Sequence, residues 1–173
     1  KVLLFRYSGQ RDLLVGSPIA NRTHRQTEEL VGFFVNTLAL RSHLEPGLPF
    51  TELLGTVRET ALNAYLHQDL PFENLVDELQ PQRSLSHSPL FQVMFGLQNA
   101  PSEQLELSGL HTRLLAYSHE DAKFDLTLNL ETGAKALTAN WEFSTDLFDR
   151  ERITRMAEHY CCLLNAIADG PEN

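Results

Sequence analysis

A chain of 173 residues carrying a formal net charge of −9 and no Lys/Arg cluster is long enough to bury one full core. Its acidity argues against nucleic acid or an anionic membrane surface as a partner. No apolar run approaches the roughly 20 residues of a membrane-spanning helix, and the early apolar stretch at residues 2–5 is too short for a signal peptide.

Residues 1–7 (KVLLFRY), followed by Ser8-Gly9, read as the last two turns of a helix with a glycine stop. A native chain seldom starts inside a helix, so the sequence is expected to begin at a cut. Asp12–Ile19 is a short strand, and residues 20–29 form a polar loop that gathers Arg22, His24 and Arg25. Residues 31–41 (VGFFVNTLALR) have the β-branched and aromatic run of a strand buried on both faces, with Asn36 and Thr37 as its interior polar residues. Behind Pro49, the spacing of Phe50, Leu53, Leu54, Val57, Ala61 and Tyr65 predicts a helix. A second, shorter helix carries Phe72, Leu75, Val76 and Leu79 on one face, with Pro71 in its first turn and Pro81 at its end. Residues 90–97 read as a strand, residues 98–109 as an exposed excursion, and residues 110–117 as a further strand.

The clearest β signal follows. Phe124, Leu126, Leu128 and Leu130 alternate with polar residues, as do Leu137, Ala139, Trp141 and Phe143, and residues 132–135 with Gly133 join them into a hairpin with one apolar face on each strand. A last helix, residues 150–168, buries Ile153, Met156, Tyr160, Leu163, Leu164 and Ile167, with Asp149 as N-cap and Phe148 stapled onto Ile153. The order of elements gives an α/β class, a mixed sheet with helices packed on it.

Seven histidines invite a metal or general-base reading. Neither HExxH nor a spaced cysteine pair occurs, so no metal site is expected. Cys161 and Cys162 are adjacent, poorly placed to bridge each other, and point to a reduced, cytoplasmic setting. His119, Glu120 and Asp121 read as a solvated turn, and His159 follows the stripe of the last helix and reads as packing. Ser86-His87-Ser88 sets a nucleophile beside a base, but a working triad brings its base from elsewhere in the chain. Residue chemistry alone therefore reaches an α/β domain without a self-sufficient active site.

Motifs go further. Residues 31–41 (VGFFVNTLALR), 67–73 (HQDLPFE) and 83–90 (RSLSHSPL) occur in that order, flanked by residues 16–22 (GSPIANR), residues 122–128 (AKFDLTL) and Leu147-Phe148-Asp149. This set resembles nonribosomal peptide synthetase condensation domains over essentially the whole chain. Ser84 stands where an acidic residue is more usual in that family.

The resemblance implies amide formation between a donor acyl or peptidyl thioester and an acceptor aminoacyl thioester, each delivered on the phosphopantetheine arm of a carrier protein, with no cofactor bound directly. It implies a V of two chloramphenicol acetyltransferase-like halves with a tunnel between them. The signature HHxxxDG, whose second histidine is catalytic, belongs to the N-terminal half, and no adjacent histidine pair occurs here. Residues 1–173 are thus expected to be the C-terminal subdomain, a tunnel wall inactive alone, with no catalytic residue of its own. Expected partners are the N-terminal subdomain and the peptidyl carrier and adenylation domains of the same synthetase. An exposed apolar face could also bring copies of the chain together.

Residues 20–29 and 98–109 would cross toward the other half as floor and latch. Arg22 is the candidate to pair with the aspartate of HHxxxDG, against the alternative of an exposed loop arginine. Asn36 would tie backbone near the tunnel, and Arg41 would serve in an ion pair. His67, Gln68 and Asp69 would fix the junction of two helices or meet substrate, while Ser86 and His87 would hold the loop before a core strand. An epimerization or heterocyclization domain, and a non-catalytic carrier-protein docking module, are the competing expectations.

Overall fold

The computed structural model describes residues 1–81, 88–98, 109–110, 121–133 and 136–172. Helix α1 (Val2–Ser8) stops at Gly9, whose φ of 69° lies in the left-handed region and whose N–H returns to Phe5 O at 2.8 Å. A side chain there would strain the stop. Strand β1 (Asp12–Ile19) pairs antiparallel with β2 (Asn36–His43), Asp12 opposite His43 and Ile19 opposite Asn36. The single helical turn α2 (Arg25–Glu28) lies in their connection.

Helices α3 (Phe50–Leu66) and α4 (Phe72–Leu79) lead to β3 (Val93–Gln98), which runs parallel to β1 and to β4 (Leu126–Thr132). Strand β5 (Leu137–Phe143) closes a hairpin on β4 with Leu126 opposite Phe143, and α5 (Arg150–Asp169) follows. The strand order β2-β1-β3-β4-β5 puts β2 and β5 at the edges.

Two apolar clusters cover the sheet. Leu3, Leu126, Ile153 and Met156 join α1, β4 and α5, with Trp141, Phe143, Phe148 and Tyr160 around them. Leu13, Leu44 and Leu53 join β1 to α3, with Val57 and Phe5 against them. Leu4 packs on both, so α1 is the shared wedge. Each fully buried side chain of this kind contributes about 1.5–3 kcal/mol.

Several expectations change. The strand expected over residues 31–41 starts only at Asn36; Val31 and Phe33 are 104% and 92% exposed. Register explains it: β1 has no residue beyond Ile19 to pair with residues 31–35. The polar loop at residues 20–29 contains a helical turn, closed by Thr27 Oγ1 donating to His24 O at 2.6 Å. The strand expected over residues 90–97 runs over Val93–Gln98.

Strand β4 is covered on both faces, since Thr127 is buried between Leu126 and Leu128. On the edge strand β5 the apolar face survives only at Trp141 and Phe143, while Leu137 and Ala139 are exposed. Helix stripes are narrower than their spacing suggests: Leu54, Tyr65 and Leu164 are exposed. Asp149 occupies the N-cap position of α5 without a side-chain capping bond, and Phe148 packs in the cluster of Ile153. His159 is exposed rather than packed, and its Nδ1 meets Tyr7 Oη at 2.8 Å. The excursion over residues 98–109 and the strand over residues 110–117 lie almost wholly outside the described residues.

Candidate functional site

Four of the motif segments, residues 16–22, 31–41, 67–73 and 122–128, are linked in the fold, and the first link is the side chain that opens β2. Asn36 is 9% exposed. Its Nδ2 donates to Gln68 O at 2.8 Å and to Leu70 O at 2.7 Å, and its Oδ1 accepts the N–H of Phe72 at 3.1 Å. A carboxamide is the uncharged side chain with two donors and an acceptor on one flat group, which these partners require. The turn it grips has bonds of its own: His67 N–H to Ala64 O, Gln68 N–H to Tyr65 O and Leu70 N–H to His67 O. Helix α4 starts at the far side of the turn without a capping side chain, because Pro71 holds the N-cap position. The first N–H groups of a helix lack intrahelical partners, and Asn36 reaches across from the sheet to take the one on Phe72.

An aromatic stack supports the same point. Phe72 at the head of α4 meets Phe91 with ring centroids 5.4 Å apart, and Phe91 meets Phe124 at 5.6 Å. Phe91 is 1% exposed. It lies where the side chain of residue 16 would go: a Cβ on Gly16 would sit 2.2 Å from the Phe91 ring. Glycine inside a strand marks such a close approach. Sequence reasoning placed Gly16 in a motif but missed Phe91, and that strand glycine was the available signal.

Not every predicted site residue takes part. Arg22 turns inward: its Nη1 donates to Thr27 O and, at 3.5 Å, to Glu28 O, and its guanidinium lies 4.2 Å from the Phe34 ring centroid. Phe34 is two residues before Asn36, so Arg22 borders the joint. Arg41 sits near the other end of β2 and makes a two-pronged ion pair with Asp12, at 2.8 and 2.6 Å. The hydrogen bond and charge of Arg41 hold the Asp12 carboxyl below its ordinary range.

A depressed carboxylate pKa stabilises the fold above the unfolded-state value, and that contribution disappears as pH falls through the folded one. Both side chains are largely in water, which screens the pair. Asp12→Asn is therefore expected to lower the urea midpoint only slightly near neutral pH and not at all in strong acid; denaturation at the two pH values checks it.

His67 and Asp69 are exposed and Gln68 is half-buried, and among the described residues their side chains form no hydrogen bond. Ser86 and His87 lie outside the described residues, as do His119 and Glu120; the adjoining Ser88 accepts a bond from Gln92 Nε2 on its carbonyl at 3.1 Å. No group of three His, Cys, Asp or Glu among the described residues is placed to hold a metal ion. A groove between β5 and α5, lined by Trp141, Phe143, Ile153, Cys161 and Cys162, contains none of the predicted site residues. Among the described residues no helix is long and apolar enough to cross a membrane.

The geometry thus defines a mixed α/β scaffold in which Asn36 ties the turn at residues 67–71 to the sheet through backbone groups. The family model described as condensation domain matches residues 1–173, and the chain belongs to that family. It is 60% identical over 172 residues to a linear gramicidin synthase of Brevibacillus parabrevis, covering 98% of this chain and 2% of that protein. It is 47% identical over 171 residues to malpinin synthetase of Mortierella alpina, covering 98% of this chain and 2% of that one. Among solved structures it is similar to the complex of the X-domain and OxyB from teicoplanin biosynthesis, with a TM-score of 0.87, 26% identity, and 99% and 38% of the two chains covered. The chain spans a small fraction of the synthetases it matches.

Proposed function

We propose that the chain is the C-terminal subdomain of a condensation domain that joins a donor acyl or peptidyl thioester to an acceptor aminoacyl thioester, both carried on phosphopantetheine arms. The observation that carries this reading is the ordered set of late family motifs in the sequence, with Asn36 and Phe72 of two of them joined in the fold, together with the lack of any adjacent histidine pair in the sequence. The chain supplies a wall and leaves the reacting imidazole to the N-terminal subdomain. Much of the acceleration in such a reaction comes from holding two tethered reactants in line. Leu30, Val31, Phe33 and Val35 form an exposed apolar run beside Asn36, the kind of surface that marks a protein contact. In this reading it meets the N-terminal subdomain, and the Arg22 guanidinium, stacked on Phe34, pairs there with the aspartate of HHxxxDG.

The purified chain, given donor- and acceptor-loaded carrier proteins, is expected to yield no amide, and addition of the N-terminal subdomain is expected to restore it. Amide made by the chain alone would overturn the assignment. Product analysis of the restored reaction separates amide formation from epimerization and heterocyclization. Without its partner the chain is expected to self-associate through the apolar run, so light scattering at rising concentration should show mass above that of a monomer. The likeness to an X-domain solved in complex with OxyB favours a second reading, a docking module without turnover. Tight carrier binding with no product from the reassembled protein would support it.

A further inference from the structure

We infer that Asn36 is a positioning residue for the condensation reaction, acting through the turn at residues 67–71; this rests on the function proposed above. The turn is fixed on one side and bare on the other. Its inward carbonyls, on Gln68 and Leu70, and the N–H of Phe72 are held by one buried carboxamide at 2.7–3.1 Å. His67, Asp69, Leu70 and Pro71 are exposed. Val35, next to Asn36 in the chain, ends the exposed apolar run that the other subdomain meets in the proposed assembly, so the bare side of the turn lies at the rim of the chamber.

The manner of the hold is informative. An N-cap side chain ordinarily takes the N–H of the second or third helical residue, and Pro71 offers no such group. The N–H of the first helical residue, Phe72, is out of reach of any N-cap side chain and is taken by the first residue of β2. The turn is thereby referenced to the sheet, and the Phe72–Phe91–Phe124 contacts reference α4 to the segments that lead into β3 and β4 in the same way. Fixing a loop against the rigid part of a fold matters where displacement of about 1 Å can cost about a hundredfold in rate. The side chains positioned are those of His67 and Asp69, which no described residue engages.

The test uses the complete parent synthetase. Amide formation is measured against acceptor-carrier concentration for the wild type, Asn36→Ala and Ile153→Ala, the last a core truncation in α5 that contacts neither Asn36 nor the turn and serves as a stability control. Asn36→Ala is expected to lose about tenfold or more in kcat with KM for the carrier little changed, and to speed hydrogen exchange at the Phe72 amide. Ile153→Ala is expected to keep its kcat well below its melting temperature. If Asn36→Ala folds poorly, Asn36→Ser, which retains a hydroxyl for one of the carbonyls, is expected to fall between the wild type and alanine. Equal kcat for the Asn36 variants and Ile153→Ala would overturn the inference and leave a structural tie. A wild type that makes no amide while Asn36→Ala still speeds exchange would instead refute the proposed function and, with it, the role drawn from it.

Discussion

Asn36→Asp is expected to destabilise the fold by about 3–5 kcal/mol, a large part of the margin of an ordinary domain. The substitution preserves shape and reverses chemistry. In place of Nδ2, which donates to the carbonyls of Gln68 and Leu70 at 2.8 and 2.7 Å, an oxygen would face two oxygens. Two hydrogen bonds of about 1 kcal/mol each are lost, the stranded carbonyls cost about 1–3 kcal/mol more, and a buried carboxylate without a cation adds its own penalty. The acceptor bond from Phe72 N–H survives, so the variant isolates the donor half of the joint. Asn36→Ala loses all three bonds but brings no charge, and should cost less, about 2–3 kcal/mol. Urea denaturation reads both, and equal midpoints for the two variants would show that the opposed oxygens and the buried charge do not add the cost argued.

Phe91→Ala is expected to cost about 3–5 kcal/mol, the range for truncating a buried aromatic. Phe91 is 1% exposed, lies between Phe72 and Phe124, and fills the space above Gly16. Helix α4 and the segments leading into β3 and β4 lose their common contact when it goes. The complementary change, Gly16→Ala, drives a methyl into the same ring and is expected to cost about 1–3 kcal/mol. Because the two positions compete for one volume, Gly16→Ala combined with Phe91→Leu should cost less than the sum of the singles by about 0.5–3 kcal/mol. Strict additivity would mean that the ring moves aside freely.

Elements whose signal is local were legible in the sequence. Gly9 stops α1, Pro71 starts α4, and the alternation through residues 124–143 gives the β4–β5 hairpin, because each depends on neighbours a few residues away. The apolar run at residues 31–35 reads as buried strand in the sequence and is exposed in the fold. A segment waiting for a partner surface and one covered by its own core share the same composition, and only the register with β1, ending at Ile19 opposite Asn36, tells them apart. That Asn36 would tie backbone was expected, but which backbone was hidden, since its partners lie more than thirty residues away and nothing in VNT announces them. The motifs identified the family correctly, yet as sequence they did not show that Gly16, Asn36, Phe72, Phe91 and Phe124 would prove to be one assembly. His159 illustrates the opposite failure: its place on the stripe of α5 suggested packing, but α1 leaves Tyr7 within hydrogen-bond reach at the surface.

That assembly bears on how synthetases can be recombined. Its members are spread from Gly16 to Phe124, so a crossover between two parental genes anywhere in that interval hands the carboxamide, the ring or the glycine to strangers. A splice in the hairpin bend at Gly133, whose N–H closes onto Ala136 O at 2.9 Å, transfers the whole set from one parent. Chimeras cut there should fold more often than those cut between β2 and β3, whatever amino acids the parents were selected to join.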